Sequence, residues 1–194
     1  MPRPPRHSYL IDNGFYHVIS RSINDMTVFK DADDFVHFLE LERRAKQAFP
    51  IRLFHYVLMS THFHVVLQAV KTEDLPQHVA FLKRNYTRWY QKKYSWRGPL
   101  WRERYRSLPI ENEEYLAACG LYVELNPVKA GICQRPEEYP YSSAKKYDLG
   151  HPMILSMNML ANQQQTDSVL WQSSHRRSAS SCSRTPMVSA QPLS

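Results

Sequence analysis

The stretch from Ile51 to Val70 limits the choice of fold more than any other part of this chain. Ile51-Arg52-Leu53-Phe54-His55-Tyr56-Val57-Leu58 and His62-Phe63-His64-Val65-Val66-Leu67 are rich in β-branched and aromatic residues, with only Met59-Ser60-Thr61 between them. Two β-forming runs around so short a break predict an antiparallel hairpin. The second run opens with histidines at i and i+2. On a strand such residues project from one face, about 7 Å apart, while Phe63 points into the opposite layer. Two imidazoles so placed can converge on one metal ion. Taken alone, they suit a structural pair, one buried and hydrogen-bonded and one half exposed, better than a metal site.

The rest of the chain supplies elements to either side of this hairpin. After Gly14, Phe15 to Arg21 predicts a first strand, ended by Ser22-Ile23-Asn24-Asp25. Asp31 or Asp33 can cap a helix that runs to about Ala48, and Pro50 stops it. Beyond the hairpin, Thr72 or Asp74 caps a second helix with Pro76 in its first turn, running to about Tyr94. Trp101 to Ile110 reads as a fourth strand with Pro109 at its end or on an edge. The acidic start Glu111-Asn112-Glu113-Glu114 opens a third helix over Tyr115 to Leu125, which Val128-Lys129-Ala130 can extend by a turn before Gly131. Strand–helix–strand–strand–helix–strand predicts an α+β, ferredoxin-like antiparallel sheet with helices on one face, followed by an extra C-terminal helix. Three regions are expected. Residues 1–13 form an extended, basic, Pro-rich arm, and residues 14–149 one domain. Residues 150–194 form a low-complexity tail, with a short helix over Asn158 to Leu170 and disorder from Trp171 to Ser194.

Composition narrows the class. With 43% hydrophobic and 12% aromatic residues, 194 residues can build one ordinary core. No run approaches the roughly 18 apolar residues of a membrane span, and no apolar stretch follows the basic N-terminus, so neither a span nor a signal peptide is expected. Cys119, Cys133 and Cys182 form no CxxC pair, which disfavours a disulfide framework and a cysteine zinc site and points to a reducing, cytoplasmic location. The net charge of +7 is concentrated. Lys83, Arg84, Arg88, Lys92, Lys93, Arg97, Arg102, Arg104 and Arg106 face a single acid, Glu103, within one thirty-residue window. Phe81, Tyr86, Trp89, Tyr90, Tyr94, Trp96, Trp101 and Tyr105 are interleaved with them. Cations neutralise phosphates and aromatic faces stack on unpaired bases, so the window predicts contact with single-stranded or hairpin nucleic acid.

Four groups of residues carry a resemblance. They are Gly14-Phe15-Tyr16-His17-Val18, Leu58-Met59-Ser60-Thr61-His62-Phe63-His64, Tyr122 through Gly131 with its Tyr-x-x-x-Asn-Pro start, and Tyr139-Pro140-Tyr141-Ser142-Ser143. Together they resemble the HUH single-strand DNA nucleases, and among these the REP-associated tyrosine transposases, over roughly residues 10 to 148. The resemblance implies a ferredoxin-like fold, a histidine pair on a central strand, a nucleophilic tyrosine on a following helix, and a divalent metal, Mg²⁺ or Mn²⁺. It also implies attachment of the tyrosine to the 5′ side of the cut strand, with release of a free 3′-OH.

The residues suit that chemistry. Tyr122 and Asn126 are at i and i+4, neighbours on one helix face. Laid over His62 and His64, that face would add an amide oxygen to two imidazoles and leave coordination positions open for phosphate oxygens. Tyr122 would be the nucleophile. Tyr115 is its rival but has Cys119, not an amide, four residues on. His17, His37, His55 and His78 read as structural or surface residues, and Glu124 as exposed. The expected function is a metal-dependent single-stranded DNA endonuclease and strand transferase. Lys83, Arg84, Arg88, Lys92, Arg97, Arg102, Arg104 and Arg106 would hold the DNA. The alternative is a domesticated, non-catalytic DNA-hairpin binding protein. An RNA-recognition fold lacks its aromatic strand signature, a zinc hydrolase lacks a third ligand at a recognisable spacing, and monomer or homodimer is left open.

Overall fold

Four strands form one antiparallel sheet in the order β2-β3-β1-β4 in the computed structural model, which describes residues 10–146. Cys182 and the expected features of the tail, including the helix over Asn158 to Leu170, lie outside the described residues, as do the first nine residues of the arm. The elements are β1 (Phe15–Arg21), α1 (Ala32–Ala48), β2 (Ile51–Met59), β3 (His62–Ala69), α2 (Asp74–Tyr94), β4 (Arg106–Ile110), α3 (Glu113–Glu124) and α4 (Asn126–Lys129). The ferredoxin-like topology expected from the element order is therefore present, with β3 and β1 in the centre.

Local chemistry accounts for most of the boundaries. Asp31 and Asp34 form a reciprocal capping box at the start of α1, so Asp31 rather than Asp33 is the cap. Ser95 ends α2 in the left-handed conformation (φ 50°). Asn112 Oδ1 accepts the Tyr115 N–H at 2.7 Å and caps α3. The fourth strand is shorter than expected. Trp101 makes only an isolated bridge to Ser22, and the chain reaches the sheet at Arg106. The reason is Lys83, whose ammonium donates to the carbonyls of Glu103 and Arg104 at 2.6 and 2.8 Å and holds that segment against α2. The end of the arm differs too. Leu10 is buried in the core and Gly14 N–H donates to Ile11 O, closing a turn where an extended segment was expected.

Two apolar layers sandwich the sheet. Tyr16, Val18, Phe63, Val65 and Leu67 pack under α1 and α2. Val57, Met59, Val66 and Ile110 pack under α3 with Cys119 and Val123. The register of β2 on β3 shifts between Leu53 and His55, so Phe54 is the extra residue of a bulge. That shift changes the parity of the strand and sends His55, Val57 and Met59 to the α3 side. The segment from Tyr139 to Ser143 lies along β2, with Leu58 N–H donating to Tyr141 O and Ser143 N–H to Tyr56 O, which covers that sheet edge. No helix among the described residues is long and apolar enough to cross a membrane.

Candidate active site

Strand parity brings three histidines together under α3. Directly opposed residues share a face, and Ile19 opposes His64 while His17 opposes Val66, so His17 is the diagonal neighbour of His64. Nε2 of His17 lies 2.9 Å from Nδ1 of His64, and the rings stack with centroids 5.2 Å apart. His62 meets His64 edge-on at 5.1 Å. Its own Nδ1 is hydrogen-bonded to Thr61 Oγ1 at 2.9 Å. On each member of the His62–His64 pair, Nδ1 is therefore engaged and Nε2 makes no hydrogen bond among the described residues. Burial drives the pKa of His17 down to about 4. Burial, and then the Arg21 charge, brings His62 down to about 4. Burial, followed by His17 and His62, pushes His64 well below the ordinary value. All three are neutral imidazoles at physiological pH, the form that binds metal.

α3 carries Tyr122 onto this cluster. The half-buried Tyr122 ring meets both His64 and His17 edge-on, with centroids 6.0 Å away in each case. Tyr115 lies two turns back, and its hydroxyl is hydrogen-bonded to Cys119. Asn126 follows Tyr122 by one turn. Pro127 has no N–H, so the Val123 carbonyl loses its usual helical donor. Asn126 Nδ2 takes that place at 3.1 Å and also donates to Tyr122 O at 2.8 Å. Because both partners are carbonyls, the amide orientation is fixed. Its Oδ1 has no partner among the described residues.

These donors fit a divalent cation. Nε2 of His62, Nε2 of His64 and Oδ1 of Asn126 make no hydrogen bond among the described residues, and His17 is a buried neighbour of the kind that orients a metal-bound imidazole. No group of three His, Cys, Asp or Glu side chains placed to hold a metal occurs among the described residues, so a third protein ligand here would have to be of another type, as Asn126 is.

α3 is fixed in place by residues that the sequence reading set aside. Glu124, expected to be exposed, is buried at 4%. Its Oε1 lies 2.9 Å from His55 Nδ1 and accepts a 2.7 Å bond from Ser143 Oγ. The His55 ring lies against Gly120, one turn earlier on the same helix. Lys129, on α4, reaches back two turns so that its Nζ stands 4.5 Å from the Tyr122 ring centroid. Partial burial there lowers its pKa.

The basic window separates into parts. Arg84, Arg88 and Lys92 are exposed on α2, in the layer opposite the histidines, and Arg97, Arg102, Arg104 and Arg106 are exposed on the segment that follows. Arg102 N–H donates to Arg21 O, and Arg21 opposes His62 across the sheet. Arg106 opposes Ile19, which in turn opposes His64, so it stands in the His64 row on the α3 face. The aromatic half of the window faces inward, contrary to the expectation of base stacking. Tyr86, Tyr90 and Tyr105 are buried. Tyr86 and Tyr90 donate their hydroxyls to Val28 O and Thr27 O. Phe81, Trp89, Tyr94, Trp96 and Trp101 are half-buried against the same core. The stripe that looked like a base platform is the apolar face of an amphipathic helix.

Fold and site together define an α+β protein of HUH architecture, a histidine pair on a central strand beneath a tyrosine-bearing helix. The chain belongs to the IS200-like transposase family, whose model matches residues 11–126 and so ends on Asn126. Among solved structures, a REP-associated tyrosine transposase bound to a REP hairpin is similar over 75% of this chain and 84% of that one, with TM-score 0.61 and 17% sequence identity. That likeness establishes a shared fold. A candidate transposase from Deinococcus radiodurans R1 aligns over 64% of this chain and 96% of that one, at 22% identity and TM-score 0.43. No curated protein matches the chain.

Proposed function

We propose that this transposase-family protein is a metal-dependent single-stranded DNA endonuclease and strand transferase, acting on hairpin repeat DNA through a covalent 5′-phosphotyrosine on Tyr122. The observation that carries the reading is the edge contact of the Tyr122 ring with His64 and His17, each at 6.0 Å. The two histidine rings are neutral and hydrogen-bonded to each other, and neutral imidazole is the form that ligates a metal ion.

In this reading His62 and His64 through Nε2, and Asn126 through Oδ1, would hold Mg²⁺ or Mn²⁺. Bound there, the ion supplies Lewis acidity to the scissile phosphate. Tyr122 attacks phosphorus, the 3′ oxygen leaves, and the bond energy is conserved in the phosphotyrosine for later rejoining. His17 holds the His64 ring in orientation. Arg21, Arg102 and Arg106 gather backbone phosphates at the histidine end of the sheet, and the α2 cations take the stem or a flanking strand. The hairpin substrate is supported by the fold shared with the hairpin-bound transposase.

The test is direct. The full chain, a 5′- or 3′-labelled hairpin oligonucleotide and Mn²⁺ should yield a covalent protein–DNA adduct that Tyr122→Phe abolishes and EDTA prevents. An adduct that survives in Tyr122→Phe and disappears in Tyr115→Phe would overturn the assignment. Hairpin binding without any adduct would favour a binding protein.

A further inference from the structure

We infer that Lys129 is a second catalytic residue, whose ammonium binds a non-bridging oxygen of the scissile phosphate as Tyr122 attacks. This rests on the reading of Tyr122 as nucleophile. Lys129 sits seven residues after Tyr122, and side chains on a helix lean toward its N-terminus, so a long one at this spacing lies back over the earlier turns. The short α4 extends the helix far enough for this, with Lys129 N–H donating to Leu125 O at 3.0 Å. The ammonium then stands 4.5 Å from the centre of the Tyr122 ring.

Among the described residues the charge at that point has no counter-ion. Lys129 forms no ion pair among the described residues, unlike Lys93, which bridges Asp31 and Asp34 at 2.7 and 2.9 Å. The acid nearest along the helix, Glu124, is engaged with His55 and Ser143. The three adjacent imidazoles are neutral, so they add no anion either. An aromatic face is a weaker partner for an ammonium than an anion is. A phosphate dianion or diester oxygen is a far stronger partner. A partly desolvated cation over the ring of Tyr122, with no acidic partner among the described residues, is therefore suited to an anion that arrives with the substrate.

In the step itself Tyr122 Oη bonds to phosphorus and the bond from phosphorus to the 3′ oxygen breaks. The phenolic proton passes to solvent, the leaving oxygen takes one from solvent, and the ammonium keeps its protons. Its part is electrostatic: it stabilises charge that grows on the phosphoryl oxygens in the transition state.

Single-turnover adduct formation is compared with hairpin affinity for the wild type, Lys129→Met and Lys129→Arg. The expected result is a rate about 100-fold lower for Lys129→Met, with hairpin Kd changed less than about threefold, and substantial recovery by Lys129→Arg. A structural role is separated by thermal melting and by a stereospecific phosphorothioate at the scissile position. Sulfur in place of one non-bridging oxygen should slow the wild type more than it slows Lys129→Met. Equal rates for wild type and Lys129→Met, or equal sulfur effects in both, would overturn the inference while leaving the Tyr122 assignment intact. Loss of the wild-type adduct itself, or its persistence in Tyr122→Phe, would instead refute the underlying reading.

Discussion

Replacing Gly120 with alanine tests whether the nucleophile helix is seated on the sheet through His55. A Cβ at position 120 would lie 2.5 Å from Nε2, 2.6 Å from Cδ2 and 2.7 Å from Cε1 of the His55 ring. The ring is the end of a side chain and can swing aside. Doing so costs it the 2.9 Å hydrogen bond from Nδ1 to Glu124, and Glu124 is buried with Ser143 as its one other partner among the described residues. A hydrogen bond to a charged group contributes about 1.5–3 kcal/mol. Alanine in a helix interior gains back about 1 kcal/mol over glycine. The expected net effect is a loss of about 0.5–2 kcal/mol, read as a lower urea midpoint at unchanged slope. Gly120 lies two residues before Tyr122, so adduct formation should slow as well. In a His55→Ala background the obstacle is absent, and Gly120→Ala should change sign, stabilising by up to about 1 kcal/mol. If alanine stabilises equally with and without the His55 ring, the close packing of ring against helix is not a constraint and the reasoning is wrong.

Other outcomes follow from the same geometry. His17→Ala removes the partner of His64 Nδ1 and should weaken Mn²⁺ binding, measured by titration calorimetry, by about 10- to 100-fold while hairpin affinity without metal stays the same. With a chelator present, stability should fall with acid. His17 is held near pKa 4 in the fold against 6.5 for a free side chain, so its contribution is full above pH 6.5 and lost as pH drops toward 4. That loss amounts to about 3 kcal/mol from this residue at pH 4, and an unfolding midpoint flat between pH 7 and 4 would contradict it. Arg102→Ala should lower hairpin affinity and reduce the slope of log K against log salt by about one. Lys83→Ala should instead lower thermal stability, because its ammonium anchors the carbonyls of Glu103 and Arg104, and a purely electrostatic signature would show that it meets DNA after all.

The sequence determined the elements and their order. The β-rich runs on either side of Met59-Ser60-Thr61, the Asp31 or Asp33 cap, the acidic start before Tyr115 and the stop at Pro50 are local signals, and local signals survive without the fold. The spacing of His62 with His64 and of Tyr122 with Asn126 is also local, since strand and helix periods fix which side chains share a face. Which faces meet depended on residues far apart in the chain. The bulge at Phe54 turns His55 toward α3, and no composition rule announces that shift. The register of β1 on β3 makes His17 the neighbour of His64, a contact across 47 positions. Burial turned Glu124 from a surface residue into part of the seat of α3, and it turned the aromatic stripe of α2 into core. The sequence alone supplied the histidine pair, the tyrosine and the amide as candidates and the expectation that their faces meet. Tertiary packing alone determined what holds the tyrosine over the histidines, and that the Lys129 ammonium stands over its ring, because an imidazole 2.9 Å from another is specified by strand register and not by distance along the chain.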